Sequence, residues 1–447
     1  MNKAGDLAPD VSTDVAPDVA PDVSTDVTAD LIAKQRDYDI IVLGATGFTG
    51  RRAARELINQ YSSSYRIGLA ARNKQRLEAL ADQLGLPAKD CFTVDTTDAE
   101  RVREVVGLTR LIVSTAGPYA LYGESVIAAC AQLGTHYTDI TGEVDFIARM
   151  SERYADKAQA SGARLVSFCG FDSVPAEIAV HKLAQRFGPE DQLIIQSYYT
   201  TKGGLNGGTI ATMLNKLASD GDNQHIGPDV LVAAGKYNEV AGKITAENES
   251  TTPELPTLVQ PKGAQFFGFV GRIQRWSTPF IMSGVNARVV YRSMSHQQFL
   301  GSYAFKRFGY SEQSSLGRWY APGSFIMTTL LLLTLTTLGP FAWFRSLLSN
   351  FVPSPGEGPS EESIEQGFMQ LNVFAESSSG QKEHLQCAFS GDPSNKATVF
   401  FLVQSSILLL KQLEAKSLAP AGFHTPYTAF GEALEQQLIS NGYEIHI

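Results

Sequence analysis

Residues 38–50 read YDIIVLGATGFTG. A short apolar run, Ile40 to Leu43, meets Gly44, Gly47 and Gly50, and an arginine-rich helical pattern begins at Arg51. A buried strand that passes through a glycine-rich turn into a helix is the context in which a dinucleotide is bound. Gly44 allows the tight turn, Gly47 lets backbone approach a pyrophosphate, and Gly50 lets the helix pack on the strand. Amides at the helix start then face the phosphate charge. The spacing is G-x-x-G-x-x-G, with Ala45 at the usual second glycine and Thr46, Phe48 and Thr49 filling the turn. The bland reading is a plain tight turn; the strand and helix on either side favour the nucleotide.

Outward from this turn the pattern alternates. Strands are expected at Ile40–Leu43, Arg66–Ala71, Cys91–Val94, Arg110–Ser114 and Arg164–Phe168. Helices are expected near 49–60, 73–84, 98–106, 123–133, 143–161 and 174–187. Alternation at this spacing predicts an α/β domain: a doubly wound parallel sheet with helices on both faces, over residues 37–188. After Gly188 the texture changes. Alternating runs at Gln192–Thr201, Phe266–Ile273 and Ala287–Tyr291 suggest antiparallel strands, interrupted by helix patterns near 208–219 and 295–308. A hairpin over 367–377 and 383–391 and an apolar helix over 395–415 follow, so 189–420 reads as a second, α+β domain. Residues 426–441 read as helix and 443–447 as strand.

Residues 8–27 are five tetrads, APDV, STDV, APDV, APDV and STDV. One valine per tetrad cannot build a core, and residues 1–36 are read as a disordered acidic tail. With 447 residues, 43% of them hydrophobic, the rest of the chain has ordinary globular composition. A net charge of −9 without a long basic run gives nucleic-acid binding no electrostatic support. Four cysteines without C-x-x-C spacing and seven histidines without ligand spacing argue against a metal centre and a disulfide framework.

The segment 325–344, FIMTTLLLLTLTTLGPFAWF, carries no charge. Its length is near that of a bilayer span, but Gly339 and Pro340 divide it and Trp319, Tyr320 and Trp343 flank it as interfacial anchors would. The reading is a helix at a membrane surface or on lipid, with a cytoplasmic, peripherally associated protein. A buried or homodimer-interface helix and a true span are the alternatives.

Chemistry is expected at strand ends. Arg72 stands where an acid would meet the ribose 2′-hydroxyl of NAD; an arginine suits a 2′-phosphate, so NADP is the expected cofactor, with NAD as the alternative and Asn73 assisting. Asp95 would lie beside the adenine or cap a helix. Thr115, Ala116, Gly117, Pro118 and Tyr119 should run along the nicotinamide half, with Tyr119 as a proton donor or as packing. In HYTDITGE, residues 136–143, Asp139, Thr141 and Glu143 would orient substrate or cap the next helix. Asp172 and Ser173 in GFDSVPAE, residues 170–177, read as a helix cap or as the edge of a site. Tyr198 and Lys202 have the Tyr-x-x-x-Lys spacing of a helical dyad, but on a strand they stand ~13 Å apart and are rejected.

GATGFTG, AARN, STAGPY, HYTDITGE, GFDSVPAE, GGLNGGTIATMLN, PSPGEGPS and TPYTAFGEAL together resemble the saccharopine dehydrogenase-like oxidoreductases, in the branch that includes the trans-acting enoyl reductases. The resemblance runs from about residue 38 onward and leaves the tail outside. It implies a Rossmann domain, a mixed-sheet substrate domain, and a C-terminal helix over 421–447 that returns to the first domain. It further implies hydride transfer from a nicotinamide to an enoyl or carbonyl group of a lipid-like or carrier-linked substrate, as in glycolipid synthesis. It supplies no catalytic residue. A non-catalytic nucleotide-binding protein at a membrane surface is the competing reading.

Overall fold

A computed structural model of the chain describes residues 36–204, 206–210, 255–259, 268–316, 341–348 and 356–447, with residues 212, 231, 261, 323, 326, 330, 334, 337–339, 350, 352 and 353. The first half alternates as the sequence pattern predicts: β1 (Tyr38–Leu43), α1 (Phe48–Tyr61), β2 (Ile67–Ala71), α2 (Lys74–Leu84), β3 (Cys91–Thr93), α3 (Ala99–Gly107), β4 (Thr109–Ser114), α4 (Tyr119–Tyr122), α5 (Glu124–Leu133), β5 (His136–Asp139), α6 (Val144–Ser161), β6 (Arg164–Val166) and α7 (Val174–Ala184). Then come β7 (Glu190–Lys202), β8 (Thr257–Leu258), β9 (Gly268–Val270), β10 (Arg275–Pro279), α8 (Ser283–Phe299), β11 (Phe305–Leu316), α9 (Ala342–Leu348), α10 (Glu361–Glu365), β12 (Phe368–Ser377), β13 (Lys382–Ser390) and α11 (Thr398–Glu414). The chain continues through β14 (Gly422–His424), α12 (Pro426–Phe430), α13 (Glu432–Ile439) and β15 (Glu444–His446).

The first sheet has the order β14-β6-β5-β4-β1-β2-β3, all parallel. Its central strands are covered on both faces, which is why β1 and β2 read as unbroken apolar runs. Register decides where the site lies. Leu43 pairs with Ser114, and Ser114 with Asp139, so three strand ends are level and their loops lie side by side. Helices α3, α5 and α6 pack on one face, while α1, α2 and α11 pack on the other, in a core continuous with the second sheet. That sheet runs β15-β13-β12-β7-β11-β10-β9 and is mixed: β7 is parallel to β11 and antiparallel to β12. Helix α7 is buried along nearly its whole length, next to strands of the second sheet.

Several expectations are corrected. Ala287–Tyr291 is not a strand but the middle of α8, whose buried Val285, Val289, Val290 and Met294 recur at helical spacing; burial of that face outweighs the β preference of paired valines. The helix expected over 295–308 is divided, since α8 stops at Phe299 and β11 starts at Phe305. The β7–β11 pair is parallel where antiparallel strands were expected. Strand β14 was not foreseen. Most of 208–219 and half of 325–344 lie outside the described set, as do all of residues 1–35.

Arg36, assigned by composition to the tail, belongs to the fold. Its guanidinium donates to Thr109 O at 2.7 Å, Val106 O at 3.1 Å, Leu133 O and Thr135 Oγ1. Val106 and Leu133 end α3 and α5, so one cation satisfies carbonyls at two helix C-termini.

Candidate active site

Gly44 has φ +82°, and a Cβ there would lie 2.9 Å from Ala116 N and from the Thr115 carbonyl carbon. Two strand ends therefore touch through bare backbone. Thr115 fixes the contact, its amide donating to Leu43 O at 2.9 Å and its hydroxyl at 3.1 Å. Gly47 donates to Gly44 O at 2.9 Å and stands at the N-cap of α1, where no side chain takes up the first amides. Those donors and the helix dipole are what a pyrophosphate binds.

At the end of β2 the Arg72 side chain is exposed and makes no hydrogen bond or salt bridge among the described residues. Asn73 is occupied as the N-cap of α2, accepting from Arg76 N at 2.9 Å. Asp95 accepts from Thr97 N and Thr97 Oγ1, bonds that hold its carboxyl below the usual range, helped by the charge of Arg72. Of this trio, only Arg72 is uncommitted to local structure.

Tyr119 points inward. Its hydroxyl donates to Ser114 O at 3.0 Å, and Ile140 N lies 3.5 Å away. Burial pushes the phenol far up. In this position it braces β4 against β5 and is poorly placed to release a proton. Asp139 is fully buried and accepts from Thr141 N, Phe168 N and Ser167 Oγ, each at 3.1 Å. Burial raises its carboxyl to about 6 despite these donors. Phe168 has φ +67°, a left-handed conformation rare for a side chain of its size, and the Asp139 bond holds it there. Glu143 was expected to cap the following helix. Instead its carboxylate reaches back to Tyr119 N at 2.7 Å and Ala120 N at 2.9 Å, tying the β5 loop to the β4 loop.

A second cluster faces these loops from the other sheet. Ser173 donates to Asn286 Oδ1 at 3.4 Å, and Asn286 donates to Glu312 Oε2 at 2.8 Å. Glu312 Oε1 accepts from Tyr310 at 2.6 Å and lies 3.4 Å from the Tyr199 hydroxyl. Tyr199 stacks on Phe280 at 4.5 Å, with Phe171 edge-on to both. Asn286, Glu312, Tyr199 and Tyr310 were missed by sequence reasoning. The available signal was period two along β11, where Phe308, Tyr310 and Glu312 share the inward face. Tyr198 and Lys202 sit on one strand, and the Tyr198 hydroxyl is taken by Arg272 at 2.6 Å.

Beside α1, the loop after Pro353 lies over Phe48. Arg51 donates to Gly356 O at 3.2 Å, Arg52 pairs with Glu361, and a cavity of about 570 Å³ opens between Phe48, Arg51, Pro359 and Ser360.

Residues 40–166 match the saccharopine dehydrogenase NADP-binding domain. Over 441 residues the chain is 31% identical to a putative trans-acting enoyl reductase of Mycobacterium tuberculosis, covering 93% of this chain and 98% of that protein. Against the trans-acting enoyl reductase of Mycobacterium ulcerans it is 30% identical over 429 residues, with 91% and 97% covered. Among solved structures, the apo saccharopine dehydrogenase (L-Glu-forming) of Saccharomyces cerevisiae aligns with a TM-score of 0.47 at 12% identity, over 92% of this chain and 99% of that one. The chain belongs to the saccharopine dehydrogenase-like family, in the trans-acting enoyl reductase branch. It is an NADP-dependent oxidoreductase. The residues fit that cofactor: two glycines clear the turn, the α1 amides lack side-chain acceptors, and the end of β2 offers a free guanidinium in place of a carboxylate.

Proposed function

We propose that this protein reduces an enoyl or carbonyl group of a lipid-like or carrier-linked substrate. The observation that carries the reading is near-full-length similarity to trans-acting enoyl reductases, which extends through the second sheet as well as the cofactor domain. In this reading 37–188 bind the cofactor, 189–420 hold the substrate, and 421–447 return to the first domain through β14 before β15 joins the second sheet. Gly44, Ala45, Thr46, Gly47, Phe48, Thr49 and Gly50 cradle the pyrophosphate, Arg72 takes the 2′-phosphate, and the turn Thr115–Pro118 flanks the nicotinamide. The bound cofactor supplies hydride. The buried cluster of Phe171, Tyr199 and Phe280 makes the junction of the two sheets apolar, which suits an acyl group better than an amino diacid.

A membrane surface is the proposed source of such a substrate. Ile326, Leu330, Phe341, Trp343 and Leu347 are each at least half exposed, an apolar set with Trp343 and Leu347 on one short helix. The function is tested by following NADPH oxidation with medium- and long-chain trans-2-enoyl thioesters and with matched β-keto thioesters. Turnover that rises with chain length is expected; no oxidation of NADPH with either series overturns the reading.

A further inference from the structure

We propose that Asp172 delivers the proton that completes reduction, with the enclosed Glu312 acting on its charge from across the junction. The inference rests on the proposed reductase function and adds the residue that function lacks. Tyr119 cannot serve, since its hydroxyl is turned into the fold, and Asp139 is closed in by three donors.

Asp172 differs from both. It follows β6 in the first sheet, in the loop next to those of β4 and β5: a Cβ on Gly170 would lie 3.6 Å from Ile140, and one on Gly142 would lie 3.2 Å from Met282. Its carboxyl makes no hydrogen bond or salt bridge among the described residues, and the residue is only partly covered. A sheltered carboxyl left without a protein partner at the junction of two sheets is one that a substrate can meet. The adjacent Ser173 begins a hydrogen-bond chain through Asn286 to Glu312, which brings the second acid to the same junction. Glu312 is enclosed, with Tyr310, Tyr199 and Asn286 as its polar neighbours and Asp172 as the charged group facing it.

Two acids at one junction resist a double charge. Burial lifts Glu312 to about 8, with Asp172 adding to the shift, and burial lifts Asp172 to about 6. In the neutral range Glu312 therefore keeps its proton, while Asp172 gains and loses one. Hydride addition to the β-carbon of an enoyl thioester breaks the carbon–carbon π bond and leaves the electron pair as an enolate. The α-carbon then takes the proton from Asp172, whose carboxylate is recharged from water. One hydride and one proton, two electrons and two protons in all, enter the substrate, and the cofactor leaves oxidised.

The test pairs kinetics with a measurement that needs no substrate. Asp172→Asn should lower kcat by about 10²- to 10⁴-fold, with NADPH affinity within twofold of the parent and an unchanged melting temperature. Asp172→Glu should recover part of kcat. Glu312→Gln should shift the pH profile of kcat with a smaller loss of kcat than Asp172→Asn. Infrared titration of the substrate-free protein should show a carboxylic acid band persisting at neutral pH, lost in Glu312→Gln. Asp172→Asn turning over at the parent rate with the parent pH profile would overturn the proposal, as would the absence of that infrared band. If the parent oxidises no NADPH with any enoyl or keto thioester, the reductase reading itself fails, while the infrared result still decides whether Glu312 holds a proton.

Discussion

A Cβ atom on Gly50 would lie 2.2 Å from the carbonyl oxygen of Gly44 and 2.7 Å from Thr115 Oγ1. Three chain segments thus converge where no side chain fits, and the cofactor turn has no slack. Gly50→Ala must push α1 off β1, displacing the amides proposed to face the pyrophosphate. We expect NADPH affinity to fall by at least ~100-fold, with a lower melting temperature from overpacking of about 1–3 kcal/mol. Fluorescence titration at parent-like affinity would contradict the geometry.

Arg72, exposed at the end of β2, makes no hydrogen bond or salt bridge among the described residues. Arg72→Ala should weaken NADPH by ~10- to 100-fold, the worth of a charge-assisted bond to phosphate of about 1.5–3 kcal/mol, and leave NADH within twofold. Equal losses for both cofactors, or a parent that prefers NADH, would remove the 2′-phosphate role.

Deleting residues 1–34 should leave melting temperature and NADPH affinity unchanged, because one valine per tetrad contributes no core. Arg36→Ala should behave differently. It strips donors from carbonyls at the ends of α3 and α5, and should cost about 1–3 kcal/mol by urea denaturation. A deletion as costly as the point change would show that the tetrads pack.

Stability should fall as pH rises above about 6.5. Burial raises Glu312 to about 8 and Glu177 to about 7, so the native state holds protons that the unfolded chain has already lost. The sign is therefore a loss of stability with rising pH, present up to the folded values, at a slope of at most about 1.4 kcal/mol per pH unit for each group. Buried His136 and the half-buried His296 and His424 act the other way, but desolvation lowers them to about 3, 4 and 3, so their effect lies at acid pH below the ordinary histidine value. Urea unfolding at pH 6.5 and 7.5 should show the decline, and Glu312→Gln should flatten it. A rise over that interval would reverse the assignment.

Trp343→Glu combined with Leu347→Glu should abolish binding to anionic liposomes without changing melting temperature or NADPH affinity, since both side chains are at least half exposed. If the parent protein ignores liposomes, this face has another use.

The doubly wound half was legible because its signals are local. Strand runs buried on both faces, Gly85, Gly134 and Gly162 closing helices in the left-handed conformation, and Asn73 and Asp98 opening them all act within a few residues. The glycine turn was readable for the same reason. What could not be read depends on distant partners. Asp139 carries a site-like motif, yet it is committed to Ser167 and Phe168, a bond known only once β5 and β6 lie side by side. Glu143 reaches backward to Tyr119 rather than forward. Asn286 and Glu312 meet Ser173 from across the fold, and nothing within either sequence neighbourhood announces the meeting.

The passage of the chain through β14 and β15 sets a timetable for synthesis. β14 is an edge strand of the first sheet, beside β6, yet nearly the whole second sheet is made between them. β15 then closes the opposite sheet against β13. A nascent chain emerging from the ribosome can assemble β1 to β6 early, but that sheet keeps an open, pairable edge until residue 424 is free. The first half of this enzyme is thus held unfinished through most of translation, and chaperones that shelter open sheet edges have that interval in which to act.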